Sequence, residues 1–281
     1  MQNDKKALSV YLILTFVISA IIQTIWIYYG ELATQTGIST LLMFIPFVTA
    51  LIISGCFYKK QKVLGFNRCK FKYILMSVLI PLGYLVLSYS LYWLSAKGSF
   101  TGNLSTLVNY ATNYYKNEIP DNIAIIISLI ITFSVCILTA LGEEVGWRGL
   151  MYPLMQKVWG WKKAIIVSGC VWTIWHLPIV IAGLYLPDTL IAYRIPSVII
   201  ELFALTVIIT WIRMRANSVW PAVMFHGIHN YLDQIVFQSL TSNSISTYFV
   251  GETGFITISI TVLIALIIII RSRKTFTDNR I

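Results

Sequence analysis

The sequence predicts an all-α protein, a polytopic membrane helix bundle of about eight transmembrane helices with both termini in the cytoplasm. Two observations predict this fold class. Of the 281 residues, 57% are hydrophobic and 11% are charged, whereas soluble domains carry about 25% charged residues. Apolar runs of about 20 residues, each long enough to cross a hydrocarbon core of roughly 30 Å as a helix, also recur from end to end. We therefore expect one membrane domain over residues 1–281.

The expected spans are the apolar runs, and polar or basic connections separate them. They lie at about residues 7–29, 38–58, 73–95, 122–142, 163–182, 195–212, 219–238 and 254–270. After the fourth span, residues 143–164 carry apolar side chains at helical spacing. This pattern indicates a further helix near the cytoplasmic boundary, either packed on the bundle or half sunk in lipid.

The Lys and Arg residues are distributed unevenly among the segments that connect the spans. The formal net charge is +10, and alternate segments outside the spans hold 18 Lys and Arg against 3 in the others. Because cytoplasmic loops carry the excess of basic residues, both termini are expected in the cytoplasm. The basic excess is thus a topology signal with some attraction to anionic lipid, and it does not indicate a partner nucleic acid.

An acidic pair follows the fourth span. On a helix, Glu144 and Arg148 are four residues apart and share a face, in the order that favours an ion pair, while Glu143 points about 100° away. Glu143 is then the carboxylate left free to act as a base. The alternative is a surface ion network at a helix end. We favour the former because the 21 residues before the pair, 122–142, are uncharged.

The fifth predicted span contains His176, about 13 residues beyond Lys163 and therefore on the order of 20 Å along the helix. Trp172 precedes it by one turn, where the indole can wall the imidazole off from lipid or pack against a substrate. Taken alone, one membrane histidine fits a hydrogen bond between helices as well as a catalytic group.

The seventh predicted span carries a polar stripe. His226, Asn230 and Asp233 follow one another at helical spacing, and His229 flanks them. Unsatisfied polar groups in hydrocarbon each cost several kcal/mol, so these four residues predict a polar cavity. A structural hydrogen-bond ladder is the alternative. We expect His226 and Asn230 to face the cavity and His229 and Asp233 to support it.

At these residues the sequence resembles the CPBP or Abi family of intramembrane proteases, which includes the type II CAAX prenyl endopeptidases. The family pattern is Glu-Glu-x-x-x-Arg, then aromatic-x-x-x-His, then His-x-x-x-Asn on successive membrane helices. The matching residues, in order, are Glu143, Glu144, Arg148, Trp172, His176, His226 and Asn230. The motif-bearing core covers about residues 122–240, and the family usually has Phe where this chain has Trp172.

The resemblance implies cleavage of a peptide bond near the cytoplasmic face of the membrane. Glu143 and His176 would activate a water, and His226 and Asn230 would stabilise the oxyanion, with Glu144, Arg148, Trp172, His229 and Asp233 in support. The residue types suit these roles, because a carboxylate and an imidazole can share a water proton and N–H groups can bind an oxyanion. The substrate would be a membrane-tethered or prenylated peptide, or a bacterial peptide such as a bacteriocin precursor.

Family members have often been described as metalloproteases, so a cofactor must be weighed. Glu143, His176 and His226 offer the three protein ligands that a catalytic zinc usually has. Against zinc, the H-E-x-x-H motif is absent from the sequence and Asn230 is a poor ligand. Two alternatives therefore remain open: catalysis without a metal, and catalysis with one divalent ion, for which zinc is the first candidate.

Two other functions remain open beside proteolysis. Intramembrane acids and histidines such as Glu143, His176, His226 and Asp233 are also typical of proton relays in transporters. A non-catalytic immunity or scaffold protein is the other candidate. In each case we expect a multi-pass protein of a bacterial plasma membrane, with its site open to the cytoplasm. Glu201, an acid inside the sixth span, is not assigned a role, although its position near the outer boundary would allow its side chain to extend toward that boundary.

Overall fold

The bundle is all-α, as predicted. The computed structural model describes residues 2–30, 32–33, 37–59, 63–102, 120–242 and 245–271. Within these ranges no strand forms, and one isolated β-bridge joins Phe100 to Thr241. Most of the connection predicted to be extracytoplasmic, residues 103–119, and the tail 272–281 lie outside the described residues.

The α-helices of the described residues follow one another along the chain with few other elements between them. They are α1 (Gln2–Tyr29), α2 (Ile38–Ile53), α3 (Phe71–Ser95), α4 (Asp121–Glu144), α5 (Tyr152–Trp159), α6 (Trp161–Ile181), α7 (Ile191–Ala216), α8 (Trp220–Asn230) and α9 (Phe255–Arg271). Three π-helical segments continue α2, α4 and α8 without a break, and they are Ser54–Tyr58, Val145–Met151 and Tyr231–Phe237.

The helices coincide with the predicted spans. Six helical segments are long and apolar enough to cross a membrane: 2–29, 38–58, 71–95, 121–159, 161–181 and 191–216. The predicted seventh and eighth spans correspond to α8 with its π-helical continuation and to α9, a shorter apolar helix. Hydropathy located the helices correctly because lipid-facing side chains dominate their composition.

The fourth helix does not end where the sequence predicted. It continues through the π-helical segment Val145–Met151 into α5, and residues 142–156 are all buried. The segment after residue 142 therefore packs inside the bundle, and the interpretation of a helix half sunk in lipid is wrong. Single π-helical turns inside α-helices often mark functional sites.

Small residues explain why α4 can be buried so closely. A Cβ added at Gly142 would lie 2.6 Å from the Met43 carbonyl oxygen, and one at Gly146 would lie 2.4 Å from Cβ of Pro46. Helices approach each other this closely in membranes only where the contact residues are small. The backbones of α2 and α4 therefore touch at this level.

The two ends of the bundle differ in their connections. One end holds the start of α1, the end of α9 and the connections 54–70, 159–161 and 216–220, and we name it the basic end. Here the Gly65 carbonyl accepts a hydrogen bond from the Val219 amide at 2.8 Å, and Ser218 donates to the Asn67 carbonyl at 2.7 Å. The opposite end holds the connections after α1, α3, α6 and α8.

Candidate active site

A cavity of about 250 Å³ lies within the bundle, between α2, α4, α6 and α8. All four predicted catalytic residues line it: Glu143, His176, His226 and Asn230. The rest of its wall consists of Ser39, Thr40, Met43, Thr132, Val135, Cys136, Thr139, Trp172, Tyr185, Leu202, Gln234, Ile235 and Glu252. The fold thus brings together polar residues from three helices that are far apart in sequence.

Glu143 is held by two indole rings. It is 1% exposed, and its Oε2 accepts hydrogen bonds from Nε1 of Trp172 at 2.8 Å and of Trp147 at 3.3 Å. Trp147 lies one turn further along the same helix, and sequence reasoning did not assign it a role. Charge-assisted bonds of this kind fix the orientation of a carboxylate. Oε1 is the oxygen left for a water or a substrate.

Glu144 forms the predicted ion pair with Arg148. Nη1 of Arg148 lies 2.9 Å from Oε1 of Glu144, and both side chains are fully buried. Nη2 of Arg148 donates to Thr206 on α7 at 3.3 Å. Oε1 of Glu144 also lies 2.9 Å from Nδ1 of His226. Glu144 is therefore engaged with two partners, whereas Glu143 has no ion pair among the described residues.

Trp172 occupies the centre of the site. The guanidinium carbon of Arg148 lies 4.0 Å from the centroid of its ring, a cation–π contact. Its ring also meets those of His176 and His226 edge-on, with centroids 5.6 Å apart in both cases. Trp172 therefore packs against Arg148 and against both imidazole rings.

The hydrogen bond of His176 determines which of its ring nitrogens is available to accept a proton. Nδ1 lies 2.9 Å from the Trp172 carbonyl oxygen. Because a carbonyl only accepts, Nδ1 carries the proton, and in the neutral ring Nε2 keeps a lone pair. A histidine that lines a cavity in this tautomer can accept a proton from a water.

Asn230 brings an unpaired amide oxygen to the cavity. The side chain is half-buried, and its Oδ1 is buried without a hydrogen-bond partner in the part of the chain that the structure describes. Buried polar groups are nearly always satisfied, so an exception of this kind indicates a site for a ligand or a water. The amide can present either its oxygen or its N–H₂ group by rotation about its last torsion.

The residues predicted to support the cavity lie behind it. Nδ1 of His229 lies 2.5 Å from the hydroxyl of Tyr84, and Tyr89 donates to Asp233 at 2.9 Å. Neither His229 nor Asp233 lines the cavity. These contacts anchor α8 to α3.

Sequence reasoning missed the residues where the cavity meets the opposite end of the bundle. Tyr185, in the connection after α6, donates to Glu252, and Gln234 donates to the same carboxylate at 3.3 Å. Burial, and then the Glu252 carboxylate, raise the pKa of Tyr185 well above its ordinary value, so the phenol stays a neutral donor. These residues belong to no motif, and only the fold reveals them.

Glu201, which the sequence left without a role, lies inside the bundle and does not extend toward the outer boundary. The side chain is 1% exposed and accepts a hydrogen bond from Thr261 on α9. A carboxyl group with a nearby hydroxyl donor is satisfied more cheaply inside the bundle than by stretching along lipid. Glu201 therefore ties α7 to α9.

The three candidate zinc ligands do not form a metal-binding cluster. Among the described residues no group of three or more His, Cys, Asp or Glu side chains has an arrangement that could hold a metal ion. Oε2 of Glu143 already accepts two indole N–H bonds, and Nδ1 of His226 faces Glu144. Glu143, His176 and His226 thus line one cavity, but Oε2 of Glu143 and Nδ1 of His226 are already engaged by other side chains.

Comparison with known proteins supports the resemblance. The family described as type II CAAX prenyl endopeptidase Rce1-like matches residues 125–232, which lie within the predicted motif-bearing core and include every residue of the three motifs. Residues 125–232 are thus similar to this family. A CAAX prenyl protease 2 of Methanococcus maripaludis is 25% identical over 148 residues, which are 51% of this chain and 50% of that protein. The chain thus spans about half the length of the curated relative that it matches.

The similarity to the Rce1-like family covers most of the polar residues of the cavity. The matched residues contain Glu143, Trp172, His176, His226 and Asn230, which come together at the cavity. Tyr185 also lies within the matched range, whereas Gln234 and Glu252 lie beyond it. The entrance to the cavity is thus partly built by residues outside the shared region.

Proposed function

We propose that this protein is an intramembrane endopeptidase that hydrolyses a peptide bond inside the cavity. The observation that carries the proposal is that Glu143, His176, His226 and Asn230 line one polar cavity within an apolar bundle. Ionisable groups at membrane depth are costly and mark functional sites. The match to the Rce1-like family supports this chemistry over a proton relay.

Water activation is assigned to Glu143 and His176. Oε1 of Glu143 and the lone pair on Nε2 of His176 would hold a water between them, since the other oxygen and nitrogen are already engaged. As the water oxygen attacks the carbonyl carbon, the carboxylate takes one water proton. That proton then passes to the leaving amide nitrogen, and the C–N bond breaks. No external reactant beyond water is needed.

Oxyanion stabilisation is assigned to Asn230 and His226. The Asn230 amide can turn its N–H₂ group toward the developing charge. His226 donates through Nδ1 to Glu144, so Nε2 is also a donor only when the ring is doubly protonated. The adjacent Glu144 carboxylate balances the positive charge of that form. His226 and Glu144 would therefore act as a unit.

The substrate class follows from the relative and from the position of the cavity. The relative from Methanococcus maripaludis is named a CAAX prenyl protease, and the cavity lies among membrane helices. We assign to this chain a peptide held at the membrane, by a lipid or by an apolar segment. The mechanism requires no metal, and each of its steps uses a group of this chain or a water.

A paired substitution of two buried glutamates tests the proposal. Glu143→Gln keeps the shape and the indole hydrogen bonds but removes the base, so cleavage of membrane-tethered peptides should fall by at least about 10³-fold. Glu201→Gln makes the same chemical change away from the cavity and should leave cleavage unchanged. Cleavage by Glu143→Gln at the wild-type rate, with both variants folded and inserted, would refute the assignment.

A further inference from the structure

The cavity extends toward the end of the bundle opposite the basic end. Tyr185 and Glu252 lie in connections of the opposite end, and Ser39 and Thr40 lie in the first turn of α2, which begins at that end. Among the described residues, none from the basic-end connections 54–70, 159–161 and 216–220 lines the cavity. A peptide can therefore reach Glu143 from the opposite end.

Packed backbone closes the way from the basic end. A Cβ added at Gly149 would lie 2.8 Å from the Leu64 carbonyl oxygen, so the connection before α3 rests directly on the π-helical segment. Nε of Arg213 donates to the Arg148 carbonyl at 2.9 Å and closes the space beside it. Residues 145–156, which lie between the cavity and this end, are all buried.

The contacts between α2 and α4 show the same difference between the two ends of the bundle. Toward the basic end, α2 and α4 touch at Pro46 and Gly146. Toward the opposite end, Thr40 of α2 and Val135 and Thr139 of α4 line the cavity. The two helices thus diverge from a closed contact to an open space.

The distribution of Lys and Arg decides which compartment the open end faces. Among the described residues, the basic end and its flanking residues carry 13 Lys and Arg, and the opposite end carries Lys97 and Arg194. The positive-inside rule places the basic end in the cytoplasm. A basic end in the cytoplasm and a cavity that extends toward the other end favour an extracytoplasmic opening over the cytoplasmic opening expected from the sequence.

We propose that the cavity opens to the extracytoplasmic side, and that the substrate is a peptide segment displayed at the outer face of the membrane. The geometry of the closed basic end and the open Tyr185–Glu252 end carries this inference. Its substrate class rests on the proposed endopeptidase function, whereas the direction of opening does not. Such peptides include exported precursors and the outer segments of membrane-anchored proteins.

Charge at the cavity agrees with an exported peptide that is neutral or basic near the cleaved bond. Glu143 and Glu252 are the charged residues of the described lining besides the two histidines, and the lining contains no Lys or Arg. The negative potential of such a lining attracts positively charged ligands and repels negatively charged ones. An acidic segment would meet repulsion from both carboxylates.

Labelling of single cysteines in intact cells tests the direction of opening. Gln234→Cys probes the cavity, Asp188→Cys the exposed connection after α6, and Lys163→Cys the basic end, each in the full chain with Cys56, Cys69, Cys136 and Cys170 replaced by Ser. A membrane-impermeant maleimide should label Gln234→Cys and Asp188→Cys in intact cells, and Lys163→Cys only after lysis. Failure of Gln234→Cys to react in intact cells, or reaction of Lys163→Cys there, overturns the proposal.

Two reporters separate the direction of opening from the activity. One randomised peptide library is tethered by a transmembrane helix to the outer face of the membrane, and the same library is tethered to the inner face. Cleavage of the outer library by the wild type, but not by Glu143→Gln, is expected. Cleavage confined to the inner library overturns the outward opening. Cleavage of neither contradicts the endopeptidase function, while the labelling still decides the side.

Discussion

Oε1 of Glu144 lies 2.9 Å from Nδ1 of His226 and equally close to Nη1 of Arg148, so a single carboxylate oxygen joins α4 to the histidine of α8. All three side chains are buried. The contact fixes which nitrogen of His226 faces the cavity. Glu144 is thus a positioning residue that acts through His226, whereas Glu143 faces the cavity itself.

Removal of the Glu144 carboxylate should destabilise the protein. Glu144→Ala leaves Arg148 buried without its counter-charge, and breaking a buried pair in this way costs about 3–5 kcal/mol. Denaturant titration of the detergent-solubilised variant measures the loss in the free energy of unfolding. Asp188→Asn changes an exposed acid and should unfold like the wild type. Equal stability of Glu144→Ala and Asp188→Asn would show that the pair is not structural.

Trp172 should matter through its N–H group as well as its ring. Trp172→Phe keeps an aromatic ring beside Arg148 but removes the 2.8 Å donor to Glu143. A hydrogen bond to a charged group is worth about 1.5–3 kcal/mol. Its loss should therefore lower kcat about tenfold or more, since each 1.36 kcal/mol changes a rate about tenfold.

The matched control is Trp211→Phe. The Trp211 indole N–H has no hydrogen-bond partner, and the residue lies away from the cavity. Kinetic assays on tethered peptides should therefore give the wild-type kcat for this variant. A kcat for Trp172→Phe equal to that of Trp211→Phe would mean that the indole bond does not position Glu143.

Hydropathy and local spacing predicted the helices. They also predicted that Glu144 forms an ion pair with Arg148 and that Glu143 does not. The spans follow from composition, and the Glu144–Arg148 pair follows from a separation of four residues on one helix. Both are local properties of the chain. The same local reasoning placed the end of the fourth span at residue 142, because a charged pair after an apolar run normally marks the membrane boundary.

Tertiary packing supplied what local spacing could not. The helix continues past Glu144 because α2 and α7 provide partners for Arg148 and close contacts for Gly146. The Tyr185–Glu252 pair joins connections 67 residues apart, so no spacing within one helix could predict it. Glu201 is buried for a similar reason, since its donor Thr261 lies on α9.

The contact between α2 and α4 should tolerate no added methyl group. At Gly146 a Cβ would lie 2.4 Å from Pro46 and 2.5 Å from the Tyr11 hydroxyl. Gly146→Ala should therefore lower stability by about 1–3 kcal/mol, the usual effect of overpacking. At Gly83 nothing lies within 4 Å of an added Cβ, so Gly83→Ala on α3 should be neutral or stabilising because Ala favours helix.

Thermal unfolding of both glycine variants in the same detergent makes the comparison. A lower midpoint for Gly146→Ala alone is expected. If Gly83→Ala lost as much stability as Gly146→Ala, the loss would come from replacing any helical glycine by alanine and not from the α2–α4 contact.

Catalysis should survive removal of divalent metal. Oε2 of Glu143 is occupied by two indole donors, and Glu143, His176 and His226 form no metal-binding cluster among the described residues. Chelation of the purified, active protein should therefore leave cleavage unchanged, and elemental analysis should find less than one zinc per chain. The Glu143→Gln variant should have the same metal content as the wild type. Zinc bound one to one in the wild type, together with activity that chelation abolishes and added zinc restores, would replace the metal-free mechanism with a zinc-dependent one.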